Sequence, residues 1–428
     1  MDRSRLRARV TELAGSLRVP GVQVAVHHDG ETWHWEHGVA RWGDSVPLDA
    51  TDAVPSGSLT KLVTAATALG LAEDGDIDLD DPLVDQVPGL AWVPRALTPR
   101  HLLAHVAGLP SDGPDVGAAS SRRYLADTCR SVSVGVPGRR FSYSNLGYLL
   151  VGALIEAATG LAWAEAVGAV VLTPLGIPTR TTGRVSGHSV GRSGERVLPV
   201  AQSLTPVEAP AGALALSAAE WAVVGRALSG HEDGPLGPDS LKRMSTPVAG
   251  ADPFGLADGW GLGLAVYGKG DGVCVGHDGN GDGTSVHLRV NPATGTVVAL
   301  AANASTGFAL WRALAPDLPS MGLPITDHNA LAGLGEPVAP PEAALGDFAN
   351  GDVLYRVRRA GHGLRLTVDS EPFADLTVHK GLGFSMRDCD SGEVDQAGRF
   401  VLGPTGGVDW VRIGGRLAHR VDHARAVA

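Results

Sequence analysis

Pro55-Ser56-Gly57-Ser58-Leu59-Thr60-Lys61, running on into the apolar Leu62-Val63-Thr64-Ala65-Ala66-Thr67-Ala68-Leu69, reads as a tight turn that delivers a serine to the start of a helix with a lysine one turn on. On a helix, positions i and i+3 share a face, so the Lys61 amine reaches the Ser58 hydroxyl and can take its proton. Free N–H groups and the positive end of the helix dipole favour the negative charge that develops when such a serine attacks an acyl group. Ser58 and Lys61 are therefore a candidate nucleophile and base. The same S-x-x-K pattern also describes an N-cap serine followed by a solvated lysine. Lysine is scarce, at four in 428 residues, which makes a chance match uncommon without excluding it. Companion motifs must decide.

Two stretches supply them. Phe141-Ser142-Tyr143-Ser144-Asn145-Leu146-Gly147-Tyr148 sets a phenol and an amide two residues apart before an apolar helical run. Tyr143 can share a proton with Lys61 and pass it to a leaving group, and Asn145 can donate to a substrate carbonyl or to the lysine. Read alone, the segment is a turn with an N-cap. Gly276-His277-Asp278-Gly279-Asn280-Gly281-Asp282-Gly283 reads as a glycine-rich loop between strands. There Gly279 lets a ligand approach the backbone, and the Asn280 N–H can pair with that of Ser58 as an oxyanion hole. Asp278-x-Asn280-x-Asp282-Gly283 also matches half of a calcium loop, but the position that needs a bidentate glutamate is Arg289, so no metal site is expected. Gly187-His188-Ser189-Val190-Gly191 fits the G-x-S-x-G nucleophile elbow by letter. The polar 179–186 stretch and the glycine-rich 191–194 stretch deny it the flanking strand and helix, so it is expected to be a loop.

A hydrophobic content of 44%, a net charge of -11 and no basic stripe describe a globular chain with no nucleic-acid partner expected. No apolar run approaches a membrane span, and no apolar segment follows the charged N-terminus, which points to a cytoplasmic protein without membrane association. Cys129, Cys274 and Cys389 are isolated thiols suited to a reducing compartment, without zinc spacing. Helical periodicity at 4–17, 58–73, 99–105, 145–158, 162–172 and near 309–314, with strand-like runs at 22–26, 32–35, 261–267, 284–290 and 296–301, predicts a sheet built from both chain ends beside an all-helical part. A Gly/Pro/Ala-rich linker over 331–345 separates residues 1–330 from a tail, 346–428, with short alternating strands at 353–357, 364–368, 376–378, 399–402 and 408–413. That tail is expected to be a small antiparallel β domain or barrel.

S-x-x-K, then Y-x-N, then H-x-G, in this order and spacing, resembles the three active-site motifs of class C β-lactamases and related penicillin-binding proteins. Leu97-Thr98-Pro99-Arg100-His101-Leu102-Leu103-Ala104-His105-Val106-Ala107-Gly108-Leu109 and the segment from Val136 to Gly160 are similar to further stretches of that family, so the likeness covers about 5–320. The resemblance implies an α/β fold with an antiparallel sheet flanked by helices and a helical subdomain, the active site between them, and a lipocalin-like barrel as the tail. It implies Ser58 as the acylated nucleophile, Lys61 with Tyr143 as its base, and Asn145, His277, Gly279 and Asn280 on the substrate, with no cofactor. Where the family often has lysine in the third motif this chain has His277, as many esterase and peptidase members do. No secretion signal and a β tail make the chain similar to standalone penicillin-binding-protein-type thioesterases, which release a peptidyl thioester from a carrier protein as a macrocycle. Cytosolic D-stereoselective esterases and aminopeptidases of the same superfamily, and a non-catalytic binding protein on this fold, are the alternatives.

Overall fold

A computed structural model describes residues 1–90, 92–113, 124–125, 135–191, 196–361 and 363–421. Cys129 and residues 192–194, weighed above, lie outside the described residues. Helix α1 (Arg3–Ser16) is capped by Asp2, whose side chain accepts from the Arg5 N–H, and buries Leu6, Val10 and Leu13. Strands β1 (Gly21–His28) and β2 (Glu31–Gly38) form a hairpin closed by Asp29 and Gly30, both at positive φ, the hand that matches strand twist. After β3 (Val54–Pro55) and a 3₁₀ turn at Gly57–Leu59 comes α2 (Thr60–Glu73). Thr60 through Leu71 are all buried, the pattern of a helix surrounded by others. Helix α3 (Asn145–Thr159), capped by Ser144 and ended by Gly160 in the left-handed region, packs across α2. The helix expected over 162–172 divides into α4 (Trp163–Val167) and a π-helical turn at Gly168–Leu172.

The G-x-S-x-G stretch is not the loop expected of it. Strand β4 (Gly187–Val190) pairs with β5 (Val197–Val200) as a small ribbon. The next described element is β5 rather than a helix, and Ser189 is exposed. Gly187 is required there because a Cβ would lie 1.9 Å from the Asp282 carbonyl oxygen. Beyond β6 (Ala215–Leu216), which pairs with β3, helix α5 (Ala218–Ser229) opens with a Ser217–Glu220 capping box. The main sheet then completes through β7 (Gly259–Trp260), β8 (Ala265–Tyr267), β9 (Cys274–Gly281), β10 (Thr284–Asn291) and β11 (Thr296–Ala302), in the order β2-β1-β11-β10-β9-β8-β7, with every pair antiparallel. The strand expected over 261–267 starts only at Ala265, because Gly263, at positive φ, lies where a Cβ would press on Ala65. The glycine-rich 276–283 segment, expected as a loop, is mostly strand: β9 runs to Gly281 and only Asp282 and Gly283 turn. Alternation along β10 sets its faces. Leu288 and Val290 meet α5 at Gly225, while His287 stacks on Trp311 of α6 (Gly307–Leu314).

The tail is a closed antiparallel barrel of eight strands: β12 (Gly346–Asn350), β13 (Val353–Ala360), β14 (Gly363–Val368), β15 (Glu371–Val378), β16 (Gly383–Asp388), β17 (Val394–Leu402), β18 (Val408–Ile413) and β19 (Arg416–Val421), with β12 pairing β19. Five of these were expected. β12, β16 and β19 escaped because they carry few β-branched residues and mix charge with apolar positions, which is what a strand with one buried face tolerates. Phe348, Val357, Leu366, Phe384, Phe400 and Val411 fill the interior. Among the described residues no single helix is long and apolar enough to cross a membrane.

Candidate active site

The turn that carries Ser58 is held from three sides. Ser56 N–H donates to the Leu214 carbonyl, the Trp221 indole N–H donates to Ser56 Oγ at 2.9 Å, and Thr284 Oγ1 donates to the Pro55 carbonyl at 2.7 Å. From Thr60 the chain winds into α2, and Lys61 Nζ lies 3.0 Å from Ser58 Oγ and 2.7 Å from the Ala211 carbonyl oxygen. Lys61 is fully buried, and burial lowers its pKa from 10.5 to about 7. Asp112 opposes that shift and Arg416 adds to it. The amine also sits 5.2 Å from the Tyr143 ring centre and 5.7 Å from that of Tyr148.

Tyr143 arrives from the segment before α3. Burial raises its pKa, and interaction with Ser58 pulls it back, although the hydroxyl closes no hydrogen bond of full geometry. Its ring belongs to an aromatic cluster with His105, Phe141, Trp260 and His277. His105 Nδ1 accepts the Ser144 N–H, which fixes the turn between Tyr143 and Asn145. Of the two partners sequence reasoning allowed Asn145, a substrate carbonyl or Lys61, no hydrogen bond to Lys61 is formed among the described residues. Asn145 Nδ2 donates to Asp112 Oδ1 at 2.5 Å, while the Oδ1 of Asn145 itself is buried and without a hydrogen-bond partner.

The third motif is brought in by β9. Strand β8 pairs with β9 only over Cys274 to Gly276, so from His277 to Gly281 the edge away from β10 has no strand partner. That edge lies against the turn that carries Ser58. A Cβ on Gly279 would come within 1.9 Å of the Ser56 carbonyl oxygen and 2.7 Å of the Leu59 nitrogen. A Cβ on Gly57, at φ +51°, would meet the Asn280 carbonyl at 2.3 Å. Two glycines thus let the backbones bearing Ser58 and Asn280 touch, the arrangement in which both N–H groups can face one oxyanion. His277 is buried with Nε2 unpartnered, and burial first, then the charge of Lys61, lowers its pKa to about 4.

Sequence reasoning missed Asp112 and Arg416. Arg416 comes from the barrel: its Nε donates to Ser111 Oγ at 2.8 Å and its guanidinium is 5.7 Å from the Tyr143 ring centre. The tandem Gly414-Gly415, both at positive φ, marks the turn between β18 and β19, but no sequence signal says that this turn reaches the cleft. All the residues expected at the site, Ser58, Lys61, Tyr143, Asn145, His277, Gly279 and Asn280, converge between α2, the start of α3 and β9. Ser189 has no part in this cluster.

A family model described as Beta-lactamase matches residues 6–316. The chain belongs to the beta-lactamase family. This beta-lactamase-family protein is 31% identical over 355 residues to "Penicillin-binding protein 4" of Amycolatopsis lactamdurans, covering 76% of this chain and 92% of that protein. Two crystal structures of SurE, the second of SurE with D-Leu, match 98% of this chain and 99% of their own, with TM-scores of 0.86 and 0.83 and identities of 35% and 36%. A class C β-lactamase from Rhodobacter sphaeroides, 21% identical, shares the fold over 74% of this chain and 98% of its own at a TM-score of 0.63. Members of this family are serine hydrolases and acyltransferases, and the class C-like fold and penicillin-binding-protein kinship read from the motifs stand.

Proposed function

We propose that this chain is an acyltransferase that takes a peptidyl group from a thioester onto Ser58 and releases it to an internal amine as a macrocycle. The observation that carries the acyl-transfer reading is the Ser58–Lys61 pair: a buried amine with a pKa of about 7, 3.0 Å from the hydroxyl. At neutral pH much of that amine is free base. Ser58 Oγ attacks the thioester carbon while its proton passes to Lys61 Nζ. The Oγ–C bond forms, the C–S bond breaks, and the proton leaves with the thiol by way of Lys61 and Tyr143. The Ser58 and Asn280 N–H groups hold the oxyanion, a contribution whose loss costs about a hundredfold to a thousandfold in rate.

Support for a peptidyl substrate with a D-residue at the acyl end comes from the likeness, barrel included, to SurE, one of whose structures is of SurE with D-Leu. Delivery by a carrier protein and a cytoplasmic setting belong to the same reading. For an amine to outcompete water it must be held near the ester, and well-oriented groups reach effective molarities of about 10⁵ M or more. The test is a peptidyl thioester with a free N-terminus and a C-terminal D-Leu, incubated with the enzyme and followed by mass spectrometry. Cyclic product is expected, with the L-Leu epimer at least about tenfold slower. Linear acid as the sole product would replace the cyclase by a D-stereoselective hydrolase. Absence of any Ser58 adduct with this thioester or a fluorophosphonate would leave only a binding protein.

A further inference from the structure

His277 Nδ1 lies 2.5 Å from the Asp278 carbonyl oxygen. A carbonyl only accepts, so Nδ1 carries the proton, and in the neutral ring Nε2 is a bare lone pair. The depressed pKa of His277, about 4, keeps the ring neutral across the range in which Lys61 titrates. The carbonyl that sets this tautomer cannot easily swing away. Asp278 is bound through its carboxylate to His287 Nδ1 and to both terminal nitrogens of Arg289, which also pairs with Asp327 and lies over the rings of Tyr267 and Trp311. The imidazole itself is set edge-on to Trp260, with centroids 5.3 Å apart, and is 6.1 Å from the Tyr143 ring.

His277 is only 3% exposed and its Nε2 has no hydrogen-bond partner. A buried acceptor left unpaired carries a desolvation penalty that is removed when a donor arrives. An unpaired lone pair beside the Tyr143 ring repels a carboxylate and welcomes an N–H or O–H. We propose that His277 Nε2 accepts one hydrogen of the atom that attacks the acyl-Ser58 ester, and thereby selects acceptors with two hydrogens on that atom.

The proposal rests on the acyl-transfer reading. In a primary amine, one N–H is held by His277 while the nitrogen lone pair faces the acyl carbon. The N–C bond forms, the C–Oγ bond breaks, and the other amine proton travels by way of Tyr143 and Lys61 to Ser58 Oγ. A secondary amine, once its single proton is committed to that transfer, has nothing left for Nε2. The acceptor class is therefore a primary amine, with water as its competitor, and N-alkylated amines are disfavoured.

The test loads the enzyme with an N-acetylated peptidyl thioester, which has no amine of its own, and offers glycinamide or sarcosinamide at equal concentration. The readout is the ratio of the two amide products. Wild type is expected to favour glycinamide by about tenfold or more, the worth of one hydrogen bond. His277→Phe and His277→Ala should bring the ratio to within about threefold of one, and His277→Gln, which keeps an acceptor, should restore most of it; thermal melts confirm that each variant is folded. A wild-type ratio near one, or a preference kept in both His277→Phe and His277→Ala, overturns the assignment alone. Wild type that acylates but yields only acid with both amines overturns amine transfer and the assignment together.

Discussion

Lys61 combines two demands that usually conflict. A base must be uncharged to accept a proton, and lysine in water is charged up to a pKa near 10.4. Here full burial beside the rings of Tyr143 and Tyr148 lowers the pKa, and among the described residues the amine's hydrogen bonds are to Ser58 and the Ala211 carbonyl. A folded-state pKa of about 7 places the charged form below neutral pH. The acylation rate should therefore fall about tenfold for each pH unit below 7 and level off above it, as a single-turnover pH profile with a thioester or ester substrate can show. A limb centred near pH 9 or 10 would mean that some other group is the base. Lys61→Arg supplies the harsher version of the test. A guanidinium keeps its proton at any accessible pH, so acylation should drop by about a thousandfold or more and lose its neutral limb.

At the scale of elements, what matters is the contact between β9 and the turn that carries Ser58. Gly279→Ala would place a methyl group against backbone atoms of Ser56 and Leu59, which cannot rotate out of the way as a side chain tip can. The strand must retreat, widening the gap between the Ser58 and Asn280 N–H groups. The expected result is a loss of acylation of about a hundredfold with a stability loss of only about 1–3 kcal/mol, measured by burst kinetics and denaturant melts. An alanine variant with wild-type acylation would show that the close approach is not needed. The same contact explains why β9 was read as a loop. Ser58, Lys61, Tyr143 and Asn145 could be found in the sequence because their chemistry is carried by short local spacings. In His277-Asp278-Gly279-Asn280-Gly281 the glycines that admit the neighbouring backbone also erase the alternation by which a strand is recognised, so the residues were legible and their element was not.

The whole molecule adds a layer that no local pattern announces. The barrel could be anticipated from its alternating strands, but its seat on the cleft could not, because much of that interface is made by backbone groups. Tyr143 N–H donates to the Gly415 carbonyl, Leu417 N–H donates to Ser142 Oγ, and Asn350 joins the Ser111 N–H to the Leu417 carbonyl. Arg412, 4% exposed, reaches the carbonyls of Asp252 and Phe141. Apart from the Asp252 carbonyl, these barrel contacts fall on Ser111 and on Phe141, Ser142 and Tyr143, so the tail braces the segment that carries the Tyr143 phenol. Arg416 extends that influence to charge: it lowers the Lys61 pKa from the barrel side while Asp112, bonded to Asn145, raises it. Two substitutions therefore have opposite signatures on one curve. Arg416→Ala removes a cation near the amine, favours its protonated form, and should move the neutral limb of the acylation profile to higher pH. Asp112→Asn removes an anion and should move it to lower pH, provided that the new amide still receives the Asn145 Nδ2 hydrogen. The comparison needs only the two midpoints relative to wild type, and it is insensitive to any common loss of rate. Shifts in the same direction, or none, would mean that the barrel holds Tyr143 in place without tuning the lysine beside it.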